Sequence, residues 1–437
     1  MRRELVLLTA LCGCAVFAPA ETKDERARVE RAGEVFSTRH ETRELPALPE
    51  GAPLDDVLAY AFRSNAELEM SYFEWAAALE RVPQESSLPD PSLSFEYLFA
   101  SERMGRWDRT TLGGSQMIPY PAKLTRAGEV ALADAVAARH RLEDRKFSLQ
   151  AEVVAAWYEL WVVDRGTEIG EENLALLQQF ASVTLELVAV GRAPQSDASK
   201  AELEVASAEN ELETLRARRG SALAAQNALL SRPADAPLRP APAAREPHLP
   251  DDATILALAA ERNPELAALA AEARGRKNAV ELARLAYVPD LSIGLDVPGS
   301  MDRSLMGMIN VPLQFARIRA GIAESRAAQR SAEAALRARK DELGARIALE
   351  LFLARDSDRQ LALFRDVLLP RARDVVTTTE MTYATGGAAF LELLDAQRSL
   401  LELELAAAEL RATRATAVAS LEAVCALDFE SLAGGTP

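Results

Sequence analysis

Over most of this chain apolar side chains recur every three or four residues, and in a few short stretches they recur every second residue. Leu174, Leu177, Ala181, Thr184 and Val188 step by 3, 4, 3 and 4, while Leu176, Phe180, Val183 and Leu187 trace a second stripe along the same run. Two stripes predict a helix with neighbours on two sides, as in a wall. PSLSFEYLF from Pro91 instead sets Leu93, Phe95, Tyr97 and Phe99 against Ser92, Ser94, Glu96 and Leu98. LSIGLDV sets Leu291, Ile293, Leu295 and Val297 against Ser292, Gly294 and Asp296. Period-two alternation predicts strands with one apolar face, close to the length a tilted membrane strand needs. The return segments TTLGGSQMI (110–118) and LMGMINV (305–311) alternate less cleanly. A soluble β-sandwich cap is the alternative to membrane strands.

The pattern occurs twice. Asn65-Ala66-Glu67-Leu68 and Pro91-Ser92-Leu93-Ser94 in the first half match Asn263-Pro264-Glu265-Leu266 and Pro289-Asp290-Leu291-Ser292 in the second. Ile118-Pro119 with Arg126-Ala127-Gly128 matches Val311-Pro312 with Arg319-Ala320-Gly321, and VAVGRAPQSD around Gly191 matches YATGGAAFLE around Gly386. Landmarks in one order, at offsets of 198, 193 and 195, indicate a duplication. Each copy reads as a helix (Leu54 to Ser87; Asp252 to Tyr287), a β-hairpin, a long helix (Ala122 to Val190; Ala316 to Tyr383) and a shorter helix (Gln195 to Ser231; Ala389 to Leu427). At 1.5 Å per residue the long helices reach roughly 100 Å. Glycine interrupts each long run, at Gly191 and at Gly386-Gly387, where backbone freedom lets the chain reverse. The predicted organisation is a signal segment (1–20), an extended arm (21–53), repeats at 54–231 and 251–427, a proline-rich strap (232–250) and a tail (428–437).

Composition agrees with close-packed helices: aromatic residues are 5% and charged residues 27% of the chain. A net charge of −16 argues against a nucleic-acid partner. The amino terminus MRRELVLLTALCGCAVFAPA has a basic start, an apolar run and Ala18-Pro19-Ala20, the pattern of an export signal. Leu11-Cys12-Gly13-Cys14 also fits a lipoprotein box with Cys14 as the acylated residue, so two processing sites stand open. Cleavage after Ala20 leaves only Cys425, and cleavage at the lipoprotein box adds only the acylated Cys14, so an internal disulfide framework is excluded either way. No run after the signal approaches the ~18 apolar residues of a spanning helix, so a membrane crossing requires strands. Four strands are too few to close a barrel, so several chains must share one.

Chemistry-bearing clusters are absent from the sequence. His40, His140 and His248 fall in the arm, on a long helix and in the strap, giving no catalytic set and no metal or cofactor site. Met301, Met306 and Met308 read as barrel wall or loop, Glu171-Glu172 as solvated helix face, and Trp157, Tyr158 and Trp161 as core packing. Asp197 lies just beyond the Gly191 break, as Glu392 and Asp395 lie beyond Gly386. Asp197 there serves either as a helix-dipole partner or in a charge filter.

The element order, the Pro-x-Leu strand openings and Tyr383-x-x-Gly386-x5-Glu392-x-x-Asp395-Ala396-Gln397 resemble the TolC family of outer-membrane efflux channels, from about Leu54 to Leu427. The resemblance implies a mainly α fold with a small β part. Duplicated helical hairpins would form a trimeric periplasmic α-barrel, and four strands per chain would contribute to a twelve-stranded outer-membrane β-barrel. It implies a passive, non-enzymatic duct working with a periplasmic adaptor and an inner-membrane pump. Gln116-Met117-Ile118-Pro119-Tyr120-Pro121-Ala122-Lys123-Leu124 is similar to the strand-to-helix junction of members serving heavy-metal pumps of the resistance-nodulation-division class, apart from Ala122 where glycine is usual. On this resemblance Tyr383, Asp197, Glu392 and Asp395 line the periplasmic gate, and Gly191, Gly386 and Gly387 form its turns. An arginine that family members carry two residues after the turn glycine is Ala388 here, and Lys200 occupies the first-copy counterpart of Asp395. The rival readings are a periplasmic adaptor, which carries one helical hairpin, and an exported structural coiled coil.

Overall fold

The computed structural model describes residues 17–99, 110–240, 249–298, 303–385 and 387–429. Cys14, Gly386, Met301, His248 and the end of the tail lie outside the described residues. In chain order the helices are α1 (Thr22–Gly33), α2 (Leu54–Ser64), α3 (Ala66–Glu85), α4 (Pro121–Ala189), α5 (Gln195–Leu229), α6 (Asp252–Arg262), α7 (Pro264–Arg284), α8 (Phe315–Leu363), α9 (Leu369–Ala384) and α10 (Phe390–Cys425). Strands β1 (Ser92–Tyr97) and β2 (Thr110–Ile118) lie between α3 and α4, and β3 (Asp290–Pro298) and β4 (Ser304–Asn310) between α7 and α8. The chain forms two compact units, one of Met1–Ser37, Met70–Leu142 and Pro264–Asp341, the other of Thr38–Glu69, Glu143–Asn263 and Glu342–Pro437.

The strands form one antiparallel sheet in the order β1-β2-β3-β4, within the first unit. Pairing of β2 with β3 joins the hairpins of the two halves, from Ile118 opposite Leu291 to Thr111 opposite Pro298. Lys123, two residues into α4, secures this junction. Its ammonium donates to the Asp290 carboxylate at 2.8 Å and to the Val288 carbonyl at 2.8 Å, while the Tyr120 amide donates to the same carboxylate at 3.0 Å. The lysine of the Gln116–Leu124 segment thus ties the first hairpin's exit to the second hairpin's entry.

Residues 22–33 depart from expectation. They were predicted as part of an extended polar arm and form helix α1 in the first unit. The cause is tertiary: the Glu25 carboxylate, 2% exposed, accepts from Trp75 Nε1 at 3.1 Å and Arg139 Nε at 3.0 Å. Tyr72 and Trp75 of α3 and Ala138 of α4 pack against Val29, Ala32 and Phe36. A polar 12-residue segment is marginal as an isolated helix, and these contacts supply what local propensity does not.

The first helix of each half is also broken, at Asn65 and at Asn263, where single predicted helices span α2 with α3 and α6 with α7. Each asparagine leaves the helical conformation, with ψ of 123° and 118°, and each is nearly fully buried. Asn65 Oδ1 accepts from the Leu68 amide, capping α3, while its Nδ2 donates to the Leu229 carbonyl at 3.0 Å. Asn263 Nδ2 donates to the Val424 carbonyl at 2.9 Å. Leu229 and Val424 belong to the last turns of α5 and α10, whose carbonyls have no partner within their own helix. The asparagine landmark of the duplication is therefore a bolt between the first and last helices of each half.

Helix α4 runs unbroken for 69 residues, but its counterpart is interrupted by a π turn at Phe364–Leu368. Pro370 stands at the second position of α9 and has no N–H to donate. The wider turn, closed by the Leu369 amide on the Phe364 carbonyl, accommodates its ring. No proline occupies the matching part of α4.

Replacing Glu25 with alanine leaves Arg139 and the Trp75 indole facing an empty site and is expected to cost about 3 kcal/mol, read as a lower urea midpoint. An unchanged midpoint would show that apolar contacts alone hold α1. Burial also raises the pKa of Glu350 in α8, against the opposing pull of Arg346. A raised folded-state value favours the protonated form, so stability is fully present below the ordinary glutamate range and is lost as pH rises through the folded value. Glu350→Gln should accordingly melt above wild type at pH 7 and together with it near pH 4, measured by circular dichroism.

Candidate functional site

The sheet separates two kinds of side chain by register. Leu93, Phe95 and Tyr97 of β1 share a face with Leu112 and Ile118 of β2, with Leu291, Ile293, Leu295 and Val297 of β3, and with Leu305 and Ile309 of β4. Several of these are largely exposed, Leu93 at 85%, Leu305 at 79% and Phe95 at 67%. The opposite face carries Ser92, Ser94, Glu96, Thr111, Ser115, Ser292, Asp296, Ser304 and Asn310, with Met117, Met306 and Met308 among them. An uncovered apolar face of this extent is unfavourable in water and suited to hydrocarbon. Among the described residues β1 and β4 each present one edge without a strand beside it. Among the described residues no helix is long and apolar enough to cross a membrane.

The second candidate region lies in the other unit, where α4 turns into α5 and α9 into α10. Gly191 has φ +73° and closes α4: the Arg192 amide donates to the Leu187 carbonyl at 2.8 Å and the Gly191 amide to Val188 at 3.0 Å. This cap needs the left-handed conformation that glycine adopts without strain. At the matching turn the Gly387 amide donates to the Thr382 carbonyl at 2.9 Å. Pro194 and Ala389, both extended, precede α5 and α10.

Between these turns lies a core of Leu177, Phe180, Ala201, Ala208, Tyr383, Phe390, Leu393 and Leu394. Tyr383 is 6% exposed, its ring centroid 5.6 Å from that of Phe390 and its hydroxyl 3.0 Å from the Thr184 hydroxyl. Gln397 Nε2 donates to Asn173 Oδ1 at 3.0 Å inside the same bundle. Tyr383 and Gln397 thus act within one chain, joining α9 and α10 to α4. Thr184 and Asn173, their partners, escaped the sequence reading; Thr184 reads there only as a polar step in an apolar stripe.

The carboxylates are placed differently. Glu392 and Asp395 are exposed on the first turns of α10, and Asp197 is half-buried in the first turn of α5, with only a long contact from the Ser196 hydroxyl at 3.5 Å. No hydrogen bond or ion pair among the described residues joins these three to one another or to Lys200 and Arg192, which are also exposed. Negative charge here is favourably placed for the helix dipoles. Among the described residues no group of three His, Cys, Asp or Glu is arranged to hold a metal ion.

Residues 255–426 match the outer membrane efflux protein family. No curated protein sequence matches the chain. Several solved structures share its fold. The outer membrane protein VceC of Vibrio cholerae is 17% identical, with a TM-score of 0.73 over 86% of this chain and 96% of its own. The CmeC outer membrane channel of Campylobacter jejuni is 14% identical, with a TM-score of 0.73 over 92% and 94%. The open state of the MtrE outer membrane channel of Neisseria gonorrhoeae is 17% identical, with a TM-score of 0.71 over 86% and 89%.

Tyr383→Phe removes one hydroxyl and leaves that of Thr184 buried without its partner. The expected loss is about 1 kcal/mol, measured by urea denaturation, and a Thr184→Val, Tyr383→Phe double variant should recover part of it. Additive losses would mean that the two hydroxyls do not act as a pair.

Proposed function

We infer that this chain, whose residues 255–426 match the outer membrane efflux protein family, is an outer-membrane channel that conducts its cargo passively and performs no chemistry of its own. The observation that carries this reading is the sheet: one face apolar and exposed, the other polar, with two edges open. In hydrocarbon every backbone N–H and C=O needs a partner, so an open edge cannot face lipid. β1 of one copy pairs with β4 of the next, and three copies complete a twelve-stranded barrel with its apolar face to lipid and its polar face to water. The helices continue as a trimeric tunnel in the periplasm, where an adaptor and an inner-membrane pump deliver the cargo. Similarity of Gln116–Leu124 to the junction of heavy-metal members favours metal ions or small toxic compounds as cargo and a pump of the resistance-nodulation-division class.

Opening and closing is assigned to the turns at Gly191 and Gly386-Gly387. There Asp197, Glu392 and Asp395 recur three times around the axis as a cation-favouring filter, and Tyr383 acts from behind by holding the turn. Cys14 and the Ala18-Pro19-Ala20 site remain the two candidate ends of the export signal. A periplasmic adaptor carries a single helical hairpin and an exported coiled coil has no use for an apolar sheet face, so both rivals fit this chain less well.

Cell fractionation tests the location: recovery in the outer-membrane fraction is expected, and a wholly soluble periplasmic protein would overturn the channel reading. In planar bilayers Glu392→Ala combined with Asp395→Ala should lower cation selectivity at low salt. Unchanged selectivity and conductance would reduce both residues to partners of the helix dipole.

A further inference from the structure

Charge on the polar face of the sheet has one sign. The four strands hold three charged side chains, Glu96, Asp290 and Asp296, all acidic and all on that face. Asp290 is offset by Lys123 at 2.8 Å. No hydrogen bond or ion pair among the described residues engages the carboxylates of Glu96 or Asp296. Arg303 precedes β4, and Arg103, Arg106 and Arg109 fall between β1 and β2, outside the described residues; none lies within a strand.

Asp296 sits in a particular place. The register sets it opposite Gly113, which in turn is opposite Ser94. A side chain at position 113 would overlap both the Ser94 hydroxyl and a carboxylate oxygen of Asp296. Gly113 has no positive φ, so what glycine supplies here is space: a hollow on the polar face over which both oxygens lean. The carboxylate therefore lies over Gly113, in space that a side chain at this position would take.

We propose that Asp296, seated over Gly113, is a selectivity-determining residue of the barrel lumen that, with Glu96, favours cations independently of the acidic turns. This rests on the channel reading above, in which the polar face lines a water-filled lumen. Three copies then place three Asp296 and three Glu96 around the lumen with no basic side chain in the strands to offset them. Fixed charge on the wall of a low-dielectric channel raises the local concentration of counter-ions. Its reach is about 10 Å at 0.1 M salt and about 3 Å at 1 M, so the effect belongs to low ionic strength.

The test is reversal-potential recording on the full-length protein in planar bilayers under a potassium chloride gradient near 0.1 M, with Glu392 and Asp395 intact. Asp296→Asn should lower the potassium-to-chloride permeability ratio by about twofold and Asp296→Lys by more, with both differences vanishing near 1 M salt. Gly113→Ala, which displaces the carboxylate without removing it, should also lower the ratio. An Asp296→Lys channel that conducts with the wild-type ratio overturns this inference alone. A wild-type protein that forms no ion-conducting pore overturns the channel reading and this inference with it.

Discussion

A sheet of four strands has two edges, and the N–H and C=O groups of β1 and β4 left without a strand partner among the described residues are the constraint on which the other features bear. In water such edges are tolerated if short. On the channel reading, where the apolar face of leucine, isoleucine and phenylalanine meets hydrocarbon, they would need strands from further copies. That requirement makes the β2–β3 seam important, because it turns two short hairpins into one continuous piece of wall. Lys123 and Asp290 close the seam at its helix end, where a frayed register would send apolar side chains to the wrong face.

In the second unit the comparable problem is the end of a helix, where carbonyls and amides lack intrahelical partners. Each half solves it in the same way. Asn65 and Asn263 donate to the last turns of α5 and α10, and those helices end in left-handed residues, Ser231 with φ 52° and Ala426 with φ 50°, 195 positions apart. The halves diverge at their turns. One carries Arg192 and Lys200; the other carries Glu392 and Asp395 over a core nailed by Tyr383 and Phe390. The duplication thus supplies a common frame on which charge is distributed unequally.

The repeated order of elements, the places of the long helices and strands, and the stop at Gly191 were legible in the sequence because each follows from local periodicity or from one residue with unusual backbone freedom. The predicted end of the first long helix, Val190, lies one residue from the observed Ala189, since Gly191 stops the helix whatever surrounds it. The exclusion of disulfides likewise needed no fold, because only Cys425 follows Ala20, and it is buried with its thiol pushed up to about 11 by desolvation.

Tertiary structure alone decided what depends on partners distant in sequence. Helix α1 exists because Trp75 and Arg139 converge on Glu25, and no count of polar residues in 22–33 contains that information. Asn65 and Asn263 were visible as landmarks, but their task appeared only when Leu229 and Val424 were placed beside them. Tyr383 was grouped with acidic residues by proximity along the chain, and packing against Phe390 and Thr184 turned it inward. Periodicity reports which face of an element is apolar; it does not report which element will cover that face, and the two differ wherever the contact is long-range.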